Sequence, residues 1–305
     1  MSLAAAWILL ALIWGTTWSA ISIGLQTIPP VTFAGLRFVL GALLLGLTLP
    51  IRGIPLPHSR QEWRLLILTG LEIFALGFAL QFWGMQYVPS GLSAVVFSAV
   101  PLFTMFIAHF KLHNEKITYR KIAGTVIAIT GIAFIFSGQL RAESNIAAWG
   151  VAAFIVASII YAHAQVTMKR AGTGIDPNVI ATVQMASGGI VLVMLGLTVD
   201  GSPLTIEWNR SAVLALLYMA VIGSSLAMFL LYWLARRMEI TKVMTVLLAD
   251  PVIALALGWI FLREVLELND VVGSLLAIAG LAVVLVGGKA ELADGEKKDG
   301  RNKAG

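Results

Sequence analysis

Long apolar runs separated by short polar connections recur along the whole chain. The first spans residues 3–24. Others follow at about 31–51, 64–86, 90–110, 118–138, 146–168, 177–199, 211–234, 240–262 and 270–288. A helix needs roughly 20 mostly apolar residues to cross about 30 Å of hydrocarbon. Each run is long enough for that, and too long and continuous for a barrel strand. The pattern predicts an all-α polytopic membrane protein with ten transmembrane helices. Turn residues mark several connections: "TIPP" at 27–30, "VPSG" at 88–91 and "GTGIDPN" at 172–178. No basic residue precedes the first run, and it is longer than a secretory apolar core. It is expected to be a retained first span.

The positive residues fall in alternate connections. With the N-terminus in the cytoplasm, the inward loops hold Arg52, Arg60 and Arg64; Lys111, Lys116, Arg120 and Lys121; Lys169 and Arg170; and Arg236, Arg237 and Lys242. The basic tail also lies inside. The outward loops hold Arg141, Arg210 and Arg263. The asymmetry predicts that both termini are cytoplasmic. It also accounts for the net charge of +5 without a nucleic-acid surface. The expected location is the plasma membrane, a bacterial cytoplasmic (inner) membrane, in multi-pass form.

Composition supports the same class. The chain of 305 residues is 59% apolar and 12% charged, against about 45–50% and about 25% in soluble domains. Cysteine is absent, which excludes disulfides, thiolate metal sites and cysteine nucleophiles. His58, His109, His113 and His163 show no metal-ligand spacing. No metal and no cofactor is expected. The segment 289–305 is polar and charged, and reads as a disordered cytoplasmic tail.

The chain also repeats itself. At an offset of 150, Trp83 meets Trp233 and Pro101 meets Pro251. At 149, "GTVIAITGIAFIFSG" (124–138) meets "GSLLAIAGLAVVLVG" (273–287), and Glu115 meets Glu264. At 147, Pro30 meets Pro177. Residues 3–138 and 146–288 therefore read as two five-helix repeats. Because five is odd, the second copy is expected to be inverted in the membrane. The basic loop 111–121 and its mainly acidic counterpart 262–270 agree with that. Such repeats are characteristic of secondary transporters with a site near mid-membrane.

The stretches "LIWGTTW" (12–18), "FAGLRFVLGALLL" (33–45), "HNEKITYRKIAGTVIAITGI" (113–132) and "DPVIALALGWIFLREVLELNDVVGSLLAIAGL" (250–281) resemble the drug/metabolite transporter superfamily, in its EamA-like branch. The resemblance implies ten helices in two halves. Helices one to four and six to nine surround a central cavity, and five and ten are peripheral. Members commonly export amino acids, other metabolites or toxic compounds, and some import. The family usually has an apolar or small residue where this chain has Asp250.

Three ionisable residues lie well inside spans: Arg37, Glu72 and Asp250. At about 1.5 Å per residue, Asp250 is roughly 15 Å deep and Glu72 roughly 12 Å. A charge there costs at least about 2.5–3.5 kcal/mol. Two readings stand. In one, Arg37 neutralises one acid and the other stays protonated. In the other, Asp250 or Glu72 binds and releases a proton, or holds a cationic part of the substrate. Arg37 matches the family's common span-two arginine, for which a structural role also serves. His163 reads as a gate or as a packing histidine.

Trp14 and Trp18 share a helical face with Thr17 beside them. They read as cavity-lining or core residues, and the family's first helix lines the cavity. Gln81, Gln165, Gln184 and Tyr232 add neutral polar groups to the candidate substrate site. Pro101 and Pro251 are expected to kink spans four and nine. Gly124, Gly131 and Gly138, with Gly273, Gly280 and Gly287, form close-packing faces, and a homodimer contact is the sharper reading of them.

No "GxxxxGK[ST]", "HExxH" or nucleophile elbow is present, so neither ATP drive within the chain nor an enzyme is indicated. The expected activity is secondary transport of small metabolites such as amino acids or amphiphilic organic compounds. It would be export by alternating access, with proton coupling through Asp250 or Glu72. A facilitative uniporter or channel is the alternative, and an intramembrane enzyme a more distant one. The expected partners are a small-molecule substrate and membrane lipid, with no nucleic acid.

Overall fold

The computed structural model describes residues 1–88, 90–137, 145–201, 206–262 and 267–302. Arg141, Arg263, Glu264, Gly138 and the side chain of Trp18 lie outside the described residues. The elements of the first half are α1 (Leu3–Gly24), α2 (Pro30–Ile51), α3 (Arg60–Gly70), α4 (Phe78–Met85), α5 (Ser90–Phe97), α6 (Val100–Lys111) and α7 (Tyr119–Ile135). Those of the second are α8 (Asn145–Ala171), α9 (Pro177–Val199), α10 (Arg210–Tyr218), α11 (Ala227–Ala235), α12 (Ile240–Met244), α13 (Val246–Leu262) and α14 (Leu268–Asn302). Two π-helical segments, Leu71–Gly77 and Met219–Leu226, join α3 to α4 and α10 to α11.

These helices assemble into the expected spans. Among the described residues, nine helical stretches are long and apolar enough to cross a bilayer. The remaining expected span is α7, whose 17 residues extend roughly 26 Å at 1.5 Å each. α14 continues past its apolar portion into the charged tail, with side chains described only as far as Leu285.

Polar caps set where several spans begin. Ser2 accepts from Ala5 N–H at 3.2 Å, and Asn209 from Ala212 N–H at 2.8 Å. Asp176 accepts from Asn178 N–H at 2.8 Å, just ahead of Pro177. Ser59 and Glu62 form a reciprocal capping box at the start of α3. Each cap satisfies a backbone donor that a helix start leaves open.

The packing is nearly unchanged when the halves are exchanged. α2 lies against α9, and α7 against α14. α1 packs on α13, as α8 packs on α6. α2 contacts the π segment 219–226, as α9 contacts the π segment 71–77. Small residues make the closest approaches. A Cβ on Gly35 would sit 2.7 Å from Val193 N, and one on Gly196 would sit 2.7 Å from Thr32 Oγ1. At the same seam the Asp200 carboxylate accepts from Thr32 N–H at 2.7 Å and from its hydroxyl at 2.9 Å.

The glycine faces of spans five and ten pack on each other within the chain. A Cβ on Gly124 would lie 2.7 Å from Gly280 O, and one on Gly131 would lie 2.5 Å from Gly273 O. These four glycines are therefore taken up by contacts within the chain.

The two span prolines sit differently. Span four breaks at Ser98–Ala99, and Pro101 starts the next helix. Pro251 lies inside α13, and the break in span nine comes earlier, at Thr245. The missing proline N–H is harmless in a first turn but removes a bond in an interior.

Candidate functional site

Polar side chains from both halves meet in the core. Tyr232 on α11 donates to the Gln184 carbonyl on α9. The Gln184 amide donates to Thr69 Oγ1 on α3 at 2.7 Å, and Thr69 donates to Leu65 O at 2.7 Å. This chain of bonds ties span seven to spans three and eight. All three side chains are buried, where a satisfied network fixes geometry.

Beside it lie Tyr161 and Gln165 on α8. The Gln165 amide is next to both the Tyr161 and Tyr232 hydroxyls. Neither of its polar atoms makes a hydrogen bond of ordinary geometry, although the residue is only 1% exposed. Asp250 on α13 lies near Tyr161. Its side chain is buried and Oδ1 has no partner. The Tyr161 ring lies 6.0 Å from that of Phe97. Unpartnered buried polar atoms are uncommon in native proteins and call for an explanation. Here a carboxylate oxygen goes unpartnered, and an amide stands beside two phenols without a hydrogen bond of ordinary geometry.

A cavity of about 180 Å³ reaches this cluster from one end of the bundle. It runs between α8, α9 and α11, and its lining includes buried Gln165 and Tyr232, half-buried Lys169 and exposed Arg236. Lys169 donates to Ala235 O and to Met238 O, the latter at 3.0 Å, and so holds the end of span eight.

The other expected site residues are distributed unevenly. Trp14 is half-buried against the core. Thr17 is buried and donates to Trp14 O at 2.6 Å. A Cβ on Gly223, in the second π segment, would approach Thr17 to 3.1 Å. Gln81 is half-buried on α4 and takes no part in the central bonds.

Arg37 pairs with neither acid. Its guanidinium carbon stands 4.4 Å from the centre of the Phe38 ring and 5.1 Å from that of Phe78. The rings' negative faces attract the guanidinium in place of an acid, while its buried Nε makes no hydrogen bond. Glu72 instead contacts His163 Nδ1 at 3.2 Å, on the first π segment.

Sequence reading passed over Tyr161, Phe97, Phe78 and Thr69. A signal for Tyr161 was available. At the offset that places Pro30 on Pro177, Trp14 corresponds to Tyr161, Trp18 to Gln165 and Arg37 to Gln184. Each half thus contributes the same three positions with different chemistry: aromatic and cationic in one, phenol and amide in the other. The π segments gave no comparable sign, because their sequences are ordinary apolar helix.

Known proteins place the chain. Residues 2–137 and 148–286 each match the EamA-like transporter family. The chain is 31% identical to the uncharacterized transporter YoaV of Bacillus subtilis, over 88% of this chain and 92% of that protein. It is 31% identical to the uncharacterized inner membrane transporter YedA of Escherichia coli K12, over 91% and 88%. Protein PagO of Salmonella typhimurium is 27% identical, over 84% of each. A solved crystal structure shares the fold with a TM-score of 0.79 at 16% identity, covering 94% of this chain and 98% of that one. The chain is a multi-pass plasma-membrane protein and not an enzyme, and it belongs to the EamA-like transporter family.

Proposed function

We propose that this transporter exports small metabolites, amino acids or amphiphilic organic compounds, by alternating access, with both termini in the cytoplasm. The two repeats, inverted with respect to each other, rock about a site between them. The observation that carries this reading is the pair of open polar groups, Asp250 Oδ1 and the Gln165 amide, buried where elements of both halves meet. A fold that leaves such groups unpartnered spends stability that a substrate can return.

In this reading Gln165, Gln184, Tyr232 and Asp250 hold the polar part of the substrate. Trp14 and Thr17 line the facing wall from span one. Arg37 and Gln81 flank the site, with Arg37 held in place by its aromatic neighbours. Asp250 carries the coupled proton. A carboxyl can hold either a proton or a substrate cation, so loading one displaces the other. The cavity lined by Gln165 and Tyr232 is the cytoplasmic approach, since the basic residues Lys169 and Arg236 also line it.

The test is flux through purified protein in liposomes. A screen for metabolites whose toxicity is relieved by overproduction supplies the solute. Saturable uptake with accelerated exchange from preloaded vesicles is the expected result. Uptake that rises linearly with concentration and shows no exchange acceleration would establish a channel instead.

A further inference from the structure

Glu72 and His163 stand apart from the central cluster. Glu72 Oε2 lies 3.2 Å from His163 Nδ1, and their side chains are 34% and 41% exposed. They belong to different halves. Glu72 lies on the π segment 71–77 and His163 on α8, and these elements pack together.

What surrounds the pair is apolar. Along span three, Glu72 is four residues from Leu68 and four from Leu76, which are 46% and 51% exposed. Along α8, His163 is four residues from Ile159, which is 40% exposed. Residues four apart share a helical face. Both stripes therefore point outward, where a transmembrane bundle meets lipid. Glu72 lies roughly 12 Å along its helix from Arg64 at 1.5 Å per residue, well inside hydrocarbon.

Among the described residues, no other charge bonds to the pair. α9 and α4, which pack on the π segment, and α5, which packs on α8, carry no ionisable residue. α6, which also packs on α8, carries His109 and Lys111 in its last turn, and α12 carries Lys242, which pairs with Glu239 at 3.5 Å. α3 carries Arg60, Glu62 and Arg64 only near its start. On α8, Tyr161 is on the buried face, and Lys169 and Arg170 are in the last turn. Arg37 on α2 is engaged with Phe38 and Phe78.

The contact between the two gives each a polar partner at an otherwise apolar surface. We propose that the Glu72 carboxyl and His163 form a bonded site that faces the bilayer between spans three and six. This site makes Glu72 a target for carboxyl reagents that arrive through lipid. The wide turn of the π segment presents the carboxyl outward, and such turns concentrate at functional positions. The site bridges the two halves and is separate from Asp250. Its existence does not depend on the transport reading.

The chemistry that tests it is the addition of the carboxylic acid to a carbodiimide. The acid oxygen bonds to the central carbon, and the proton passes to nitrogen. Transfer of the acyl group from oxygen to nitrogen then gives a stable N-acylurea, with nothing oxidised or reduced. The full chain lacks cysteine, so no thiol competes. The protein in liposomes is treated with hydrophobic dicyclohexylcarbodiimide, or with a cationic water-soluble carbodiimide, and modified peptides are mapped by mass spectrometry.

The expected result is modification of Glu72 by the hydrophobic reagent and not by the soluble one, with buried Asp250 unmodified by both. Glu72→Gln removes that adduct. Absence of an adduct with the hydrophobic reagent would overturn the proposal. So would equal labelling by both reagents, which means a water-filled groove. The two-reagent comparison on the unmodified chain decides the outcome even where a variant fails to fold.

Discussion

Glu115 reaches out of the first repeat to hold Thr241 at the start of span nine. Its carboxylate accepts from the Thr241 N–H and hydroxyl, each at 3.2 Å, and from Ile240 N–H at 2.8 Å. Glu115 is only 4% exposed. It caps a helix that belongs to the other half, and places negative charge at that helix's positive end. Lys121 closes the same corner, bonded to Glu239 at 2.8 Å and to Lys116 O at 3.0 Å. Hydrogen bonds to charged groups contribute about 1.5–3 kcal/mol each, and orphaned donors add a penalty. Glu115→Ala is therefore expected to lower stability by about 3 kcal/mol, and Thr241→Val by about 1 kcal/mol. Thermal unfolding in detergent measures both. A Glu115→Ala protein as stable as the parent would show that water replaces the cap.

The contact between spans five and ten gives a second expectation. Gly131 and Gly273 meet backbone to backbone, and a Cβ on either would come within 2.5 Å of the other's carbonyl oxygen. Neither helix can retreat without opening the whole seam. Overpacking of this kind typically costs about 1–3 kcal/mol. Gly131→Ala should cost an amount in that range, and Gly131→Val more, while leaving substrate affinity unchanged. The pair of measurements is unfolding and the half-saturating concentration in liposome flux. Reduced affinity at full stability would place span five in the transport pathway.

Much of this architecture was legible because its causes are local. Spans such as Leu3–Gly24 and Pro177–Val199 begin at Ser2 and Asp176 caps and end where polarity returns. The doubling was legible in Trp83 with Trp233 and Pro101 with Pro251, although Pro101 stands in the first turn of a helix and Pro251 inside one. Partner choice was not. Arg37 was expected to face an acid, but which ring or carboxylate it meets depends on how α2 and α4 are arranged in three dimensions. Glu72 found His163 for the same reason. The π segments were invisible because one extra residue per turn leaves no compositional mark.

Gln165 separates a structural amide from a binding one. An amide kept only for packing is best replaced by an apolar group of similar size, because its unpaired donors and acceptor cost free energy. Gln165→Leu should thus keep stability, or gain about 1 kcal/mol. The proposed role adds a second requirement, that the half-saturating substrate concentration rise about tenfold, equivalent to one lost hydrogen bond of about 1.4 kcal/mol. Trp18→Ala should likewise weaken affinity more than stability. Loss of stability without loss of affinity in either variant would assign that residue to the core.

Asp250 is the sharpest test of coupling. It replaces the apolar or small residue that the resemblance leads one to expect before Pro251, and it is buried with one oxygen unpartnered. Asparagine has the same shape and can still hydrogen-bond, but it carries no exchangeable charge. If Asp250 moves the proton, Asp250→Asn should reduce accumulation driven by a pH gradient by about tenfold or more. Exchange between equal solutions on the two sides, which requires no net proton movement, should stay within about a factor of two of the parent. Both fluxes come from the same vesicles, so differences in folded protein cancel in their ratio. Both fluxes at the parent's level would mean that the carboxyl is structural. A fall in both together, with the ratio unchanged, would mean that it holds substrate or shapes the site without carrying the proton.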